Sequence, residues 1–342
     1  MDILKAYKAG IAELQREHDE AELGKLGTFR AGNSGLYAEE TKEWLGPCAR
    51  MVYLRHKGIH LDKAEESREH MFAAGRSNED IWSTMLKKAG VPHLREEDVP
   101  TKWFTRSGHA VTGRPDIVIG TEHTEDVEFT EHDGHVSLVP TKVFTPTKGL
   151  ELKLVSSVWT ARDVLFQGSP KLVHLAQATH YSWQVGVPFE IWYASRADWP
   201  VVGWMQKNFP RQDSPLAKYC EYNEKGEIKK VKPFIVGYEL RIEEGTVCYR
   251  QLQEDGTKSN WTKSIVTVGR VEAFYNQLSQ LEKTNELPPE PLNTDAKGEL
   301  ANWKASGYCA LMGTGLCCAE RKTGKLDKWL EEIKQLPTGE NK

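Results

Sequence analysis

Apolar positions in the first 28 residues fall at Ile3, Leu4, Tyr7, Ile11 and Leu14. Spacings near three and four predict an amphipathic helix that packs on its own domain. The stretch from Phe29 to Ser34, with glycines nearby, breaks that pattern, and residues 38–60 read as helical again. A third helix is predicted from about Asp62 to Ala89, ended by Gly90-Val91-Pro92. Residues 101–120 and 149–156 read as strands, joined by a segment rich in Glu, His and Thr in which Val136 to Val143 form a hairpin strand. A helix over residues 170–186 is bounded by Pro170 and Gly186-Val187-Pro188, and Phe189 to Ala194 is a strongly apolar strand. Residues 200–268 are strand-rich, with turns at Glu224-Lys225-Gly226 and Glu254-Asp255-Gly256, and read as a β extension or insertion. Gly269 to Leu287 is helical, and Pro288-Pro289-Glu290-Pro291 marks a boundary before a C-terminal tail. Strand, strand, helix, strand predicts an α/β protein with a mixed central sheet flanked by helices. Four regions follow: an N-terminal helical region over 1–100, a core over 101–199, a β-rich extension over 200–268, and a C-terminal helix with its tail over 269–342.

A chain of 342 residues with 39% hydrophobic content can bury a sizeable core as one large domain or two modest ones. No apolar run reaches the ~20 residues that cross a bilayer, and Met1-Asp2-Ile3-Leu4-Lys5 lacks a signal-peptide stretch, so a cytoplasmic protein is expected. A formal charge of −4 excludes coating of nucleic acid by bulk electrostatics but leaves room for a local basic groove. Arg50, Arg55, Lys57, Arg76, Arg114, Arg162 and Lys171 are candidate phosphate contacts. Trp82, Trp103 and Trp159 are either base-stacking platforms or partly buried core residues, the commoner role of Trp.

Within this pattern lies an ordered set of polar residues: Glu79 on a helix, Asp116 at a strand, Glu151 and Lys153 on the next strand, then Gln177 and Tyr181 on a helix. Residues i and i+2 of a strand share a face, so Glu151 and Lys153 project together. Gln177 and Tyr181, four apart on a helix, also share one. Hard divalent cations prefer oxygen ligands, which makes Asp116, Glu151 and the backbone carbonyl of Leu152 the primary ligands and Glu79 a further one. An ammonium at Lys153 would orient or deprotonate a water, the chemistry of phosphodiester hydrolysis. Gln177 would position Lys153 or the water, and Tyr181 would touch the phosphate. Taken singly, each residue has an ordinary alternative as a turn residue, a solvated lysine or a polar helix stripe; their order is the signal. Ser156 and Ser157 bind phosphate or close the strand end.

These motifs resemble the PD-(D/E)XK nuclease superfamily, in the RecB-like branch that includes phage and CRISPR-associated exonucleases. Gly75-Arg76-Ser77-Asn78-Glu79 matches its helical Gly…Glu/His motif, Pro115-Asp116 its Pro-Asp, Glu151-Leu152-Lys153 its acid-x-Lys, and Gln177-Ala178-Thr179-His180-Tyr181 its Gln-x-x-x-Tyr. The similarity covers about residues 40 to 200. It implies a restriction-endonuclease-like core, Mg²⁺ or Mn²⁺ as cofactor, and DNA, in particular single-stranded ends, as substrate. Recombination, repair or phage DNA metabolism would be the setting, in a bacterial or phage-infected cell, with a homo-oligomer or a recombination protein as partner. A structure-specific endonuclease and a non-catalytic DNA-binding subunit are the alternatives.

Six cysteines in a cytosolic chain point to metal or redox use rather than disulfides. Cys48, in Gly46-Pro47-Cys48-Ala49-Arg50-Met51-Val52-Tyr53, resembles the Cys-Pro-Arg-x-x-Tyr segment of iron-sulfur members of that branch, and Cys309, Cys317 and Cys318 lie where the other ligands are placed. The resemblance implies a [4Fe-4S] cluster stapling the tail to the core, with zinc or free thiols as alternatives, because Ser306 stands where a further Cys is expected. Cys220 and Cys248 read as structural. The acidic His-containing stretches at residues 122–126 and 131–135 fit no zinc spacing and read as a solvated hairpin. Neither a Gly-x-x-x-x-Gly-Lys loop nor a Gly-x-Ser-x-Gly elbow occurs, which excludes the corresponding ATPase and hydrolase chemistries. Val164-Leu165-Phe166-Gln167-Gly168 looks like a viral protease site but reads as native sequence by coincidence.

Overall fold

The computed structural model describes residues 27–57, 66–130, 136–166, 168–209, 215–252 and 256–288, with isolated positions at Gly10, Glu13 and Arg16. In chain order the elements are β1 (Thr28–Arg30), β2 (Leu36–Ala38), β3 (Glu43–Leu45), α1 (Ala49–His56), α2 (Glu66–Lys88), β4 (His93–Arg95), β5 (Thr101–Phe104), β6 (Ala110–Gly113), β7 (Ile117–Thr130) and β8 (Val136–Leu154). They continue with α3 (Val158–Phe166), α4 (Leu172–Val185), β9 (Phe189–Ser195), β10 (Trp199–Pro200), β11 (Cys220–Tyr222), β12 (Ile228–Val231), β13 (Phe234–Glu243), β14 (Thr246–Leu252), β15 (Thr262–Thr267) and α5 (Val268–Lys283). The chain forms two interleaved compact units: one comprises residues 1–73, 102–112 and 269–342, the other residues 74–101 and 113–268. Among the described residues no helix is long and apolar enough to cross a membrane.

The second unit is built on a seven-stranded mixed sheet in the order β15-β14-β13-β9-β8-β7-β4, in which β13, β14 and β15 extend the sheet beyond β9. Only β8 and β9 run parallel, and the helices α3 and α4 lie between them in sequence, as a parallel connection requires. Leu150 and Leu152 turn to the face that receives Trp82 and Leu86 of α2. Alternation therefore sends Glu151 and Lys153 to the opposite face. There Lys153 is paired in register with Tyr193, whose hydroxyl meets His174 of α4 at 2.9 Å, so α4 covers that side. Gly149 is required by this packing, since a Cβ there would lie 2.1 Å from the buried Phe189 ring. A smaller sheet, β10-β12-β11, completes the described strands of the unit.

β7 and β8 run far beyond the sheet. A register shift between Ile119 and Gly120, with Thr147 the extra residue, separates two regimes of the hairpin. Inboard of it, β8 is held by both β7 and β9; outboard, among the described residues, each strand pairs only with the other. The predicted Val136–Val143 strand is thus the outer part of one continuous strand.

In the first unit β1, β6 and β5 form a three-stranded sheet and β2–β3 a hairpin. The hairpin and α1 correct the expectation that residues 38–60 are helical throughout: Lys42 takes a left-handed φ of 56°, closing a turn, and Tyr37 packs on Trp44 at 4.8 Å. The expected strand over 101–120 is three short pieces, interrupted at Gly108, with φ 91°, and at Arg114-Pro115. The helix expected over residues 1–28 lies almost wholly outside the described residues.

Candidate active site

Asp116 immediately precedes β7, and its Oδ2 accepts a hydrogen bond from the backbone N–H of Leu152 at 2.6 Å. That bond ties the Pro-Asp corner to the middle of the acid-x-Lys strand. Glu151 is fully buried, and its Oε1 takes an ion pair from Nζ of Lys153. Its Oε2 is buried and has no hydrogen-bond partner among the described residues. A carboxylate oxygen left dry costs on the order of 1–3 kcal/mol, more when charged.

The electrostatics show that four of the predicted residues share one field. Burial, then the Asp116 charge, pushes the Glu151 carboxyl up to about 8, with Lys153 opposing. Glu79, on the stretch of α2 that belongs to this unit, is pushed up to about 7 by burial, by Asp116 and by Glu96. Asp116 is raised by burial against the pull of Lys153 and of the Leu152 N–H. Burial works against the Lys153 ammonium, yet the carboxylates of Glu151 and Asp116 raise its pKa above the ordinary lysine value. Three acids facing one ammonium leave an excess of negative charge: the lysine keeps its proton and the buried acids resist giving up theirs.

Gln177 and Tyr181 lie one turn apart on α4, with Gln177 Nε2 donating to Tyr181 Oη at 3.4 Å. The Tyr181 phenol is raised by burial and by the Glu151 charge, which places its hydroxyl within reach of the same field. The Leu152 N–H is committed to Asp116. Three further residues join the site that the sequence reading did not select. Glu96 adds to the negative potential, while Tyr193 accepts from the Lys171 N–H at 3.0 Å and meets His174 at 2.9 Å. Burial, then Lys153 and Lys171, holds the His174 imidazole well below its ordinary pKa, and so neutral. His174 precedes Gln177 by three and Tyr181 by seven, a helical-face spacing that was readable.

Several candidate phosphate contacts are otherwise engaged. Arg50 is buried and donates twice to the Pro288 carbonyl, at 2.9 and 3.2 Å, so it is corrected to a structural anchor. Lys57 is paired with Glu282 at 2.6 Å. Arg162 pairs with Asp163 and sits over the Trp159 ring at 5.1 Å. Arg55, Arg76 and Arg114 are exposed. Trp82 packs at a tilt against Trp192, centroids 5.4 Å apart, and Trp103 meets Tyr275 edge-on at 6.1 Å, so both half-buried rings are engaged in packing. Of the proposed cluster ligands, Cys48 is half-buried at the start of α1, and Cys309, Cys317 and Cys318 lie outside the described residues. The Arg50–Pro288 bonds hold the start of the tail against the helix that Cys48 begins. Cys220 and Cys248 are buried, and burial pushes the Cys220 thiol up to about 11. Comparison with protein-family models, with curated proteins and with solved structures returned no match.

Proposed function

We propose that this chain is a metal-dependent deoxyribonuclease with a restriction-endonuclease-like core, acting as an exonuclease on single-stranded DNA ends. One observation carries the reading: the buried, unpartnered Oε2 of Glu151 lies in a field shared by Asp116, Glu79 and Lys153. This donor set fits a hard divalent ion, since oxygen ligands with excess negative charge are what Mg²⁺ or Mn²⁺ would neutralise. Asp116 and Glu151 would hold the ion, with Glu79 and the Leu152 carbonyl as further ligands. When bound, it supplies charge neutralisation for the phosphoryl group and acidity for a coordinated water.

The chain's own residues divide the remaining work. Lys153, kept protonated by its carboxylate neighbours, serves as an ammonium that orients water and balances charge growing on the phosphate, in preference to acting as a base. Gln177 and Tyr181, bonded to each other on the buried face of α4, would direct hydrogen bonds towards the phosphate and shield the site from bulk water. Digesting end-labelled linear, circular and duplex DNA with Mg²⁺ or Mn²⁺ tests the reading. Asp116→Ala and Lys153→Ala should each lower the rate by about 10²- to 10⁴-fold while leaving the protein folded. Full activity in both variants would overturn the assignment, and cutting of circular single strands would replace exonuclease by endonuclease.

A further inference from the structure

The first unit contains a second group of convergent ligands that phosphodiester chemistry leaves unused. His56 ends α1, His109 stands in the turn before β6, and Glu282 lies in the last turn of α5. Nε2 of both imidazoles faces Oε2 of Glu282, that of His109 at 3.0 Å, and one donor atom from each residue lies within 4.8 Å of the other two. Each contact is braced from behind. Lys57 occupies the other Glu282 oxygen at 2.6 Å, and His109 Nδ1 lies 2.5 Å from Ser279 Oγ, itself 2.8 Å from Thr105 Oγ1. His56 is stacked flat on Phe29, centroids 4.0 Å apart and planes at 11°.

Two imidazoles aimed at a single carboxylate oxygen are hydrogen bonds only if both Nε2 atoms carry protons. A cation about 2 Å from each donor would take the place of both protons at once. Two nitrogens and one carboxylate oxygen are a borderline-soft set, suited to zinc and poor for magnesium. Ser279 and Lys57 occupy the supporting positions in which hydrogen bonds usually hold metal-bound His and carboxylate groups. A Ser–His–acid hydrolytic relay is excluded by the complete burial of Ser279, which denies its hydroxyl any substrate. The His109 side chain is 23% exposed against 1% for His56 and 10% for Glu282, so among these three ligands the most open side is that of His109. We propose that His56, His109 and Glu282 form a zinc site that ties three sequence-distant segments of this unit together, with a water completing the coordination on the His109 side.

The test uses the full-length chain, stripped with chelator, dialysed against Zn²⁺ and then metal-free buffer, and read by metal analysis and zinc X-ray absorption. The expected result is zinc with two imidazoles and no sulfur in its first shell. One equivalent should be lost in His109→Gln and retained in Cys48→Ser and Asp116→Asn, which separates this site from the cysteine tail and from the nuclease carboxylates. A sulfur-only shell, an absence of retained zinc, or equal zinc in wild type and His109→Gln would overturn the proposal. Should His109→Gln fail to fold by circular dichroism, the wild-type absorption spectrum decides alone: two-imidazole scattering upholds the site and its absence refutes it.

Discussion

Glu151→Gln should stabilise the metal-free protein in mild alkali while abolishing cleavage. The carboxyl is fully buried, and burial with the Asp116 charge carries its pKa from 4.5 to about 8. A folded-state value above the unfolded one means that the protonated group favours folding, fully below about pH 4.5, and that this contribution is lost as pH rises through about 8. At about 1.4 kcal/mol for each tenfold change in proton affinity, the wild type forgoes on the order of 5 kcal/mol across that window. Glutamine keeps the shape without the charge, and Lys153 keeps Asp116 as its counter-ion. Glu79, also raised, is common to both proteins and cancels. Urea unfolding in EDTA should give nearly equal stabilities at about pH 5 and a variant more stable by about 2–4 kcal/mol at about pH 8.5. Saturating Mg²⁺ should restore the wild type and leave the variant unmoved. A variant no more stable than wild type at the higher pH, or equal stabilisation of both by Mg²⁺, would refute the account of Glu151 as an ion ligand held in an apolar setting.

Gly149→Ala, whose new methyl would collide with the buried Phe189 ring, should cost about 3 kcal/mol and lower the thermal midpoint by several degrees in a melting scan. Tyr181→Phe removes a hydroxyl from the site and should slow cleavage about tenfold, with a stability loss near ~1 kcal/mol, in a parallel rate and unfolding measurement. If the tail carries a [4Fe-4S] cluster, anaerobically purified protein should be brown with absorbance near ~400 nm, and Cys48→Ser should bleach it.

Much of this arrangement was legible in one dimension because local rules govern it. The third helix, the apolar strand at Phe189 and the order Asp116, Glu151, Lys153, Gln177, Tyr181 follow from period and punctuation. What escaped was decided by tertiary context. Glu39 to Lys42 read as helical, yet the left-handed Lys42 and the Tyr37–Trp44 contact make a hairpin there. The hairpin strand expected at Val136 to Val143 is the outer end of one strand that continues through Pro140 and Pro146 to Leu154, which is tolerated because a proline fits where a strand has a free edge. Glu96, His174 and Tyr193 belong to the site only because the sheet brings separate segments together, and Tyr193 was indistinguishable from any aromatic of a buried strand. The pairing of His56 with Glu282 spans 226 positions, beyond the reach of any spacing rule.

The two-stranded arm formed by the outer parts of β7 and β8 has an implication for how the protein behaves in a crowded solution. Beyond Gly120 each strand presents one row of backbone donors and acceptors that no described neighbour uses, the template on which sheets of different molecules fuse. Glu122, Glu125 and Asp126 give one margin a repulsive charge, and Pro140 and Pro146 interrupt the donor row of the other. These residues act as deterrents to polymerisation: a chain in which both prolines and the acidic triplet were neutralised would grow edge to edge, even though nothing around Asp116, Glu151 and Lys153 had changed.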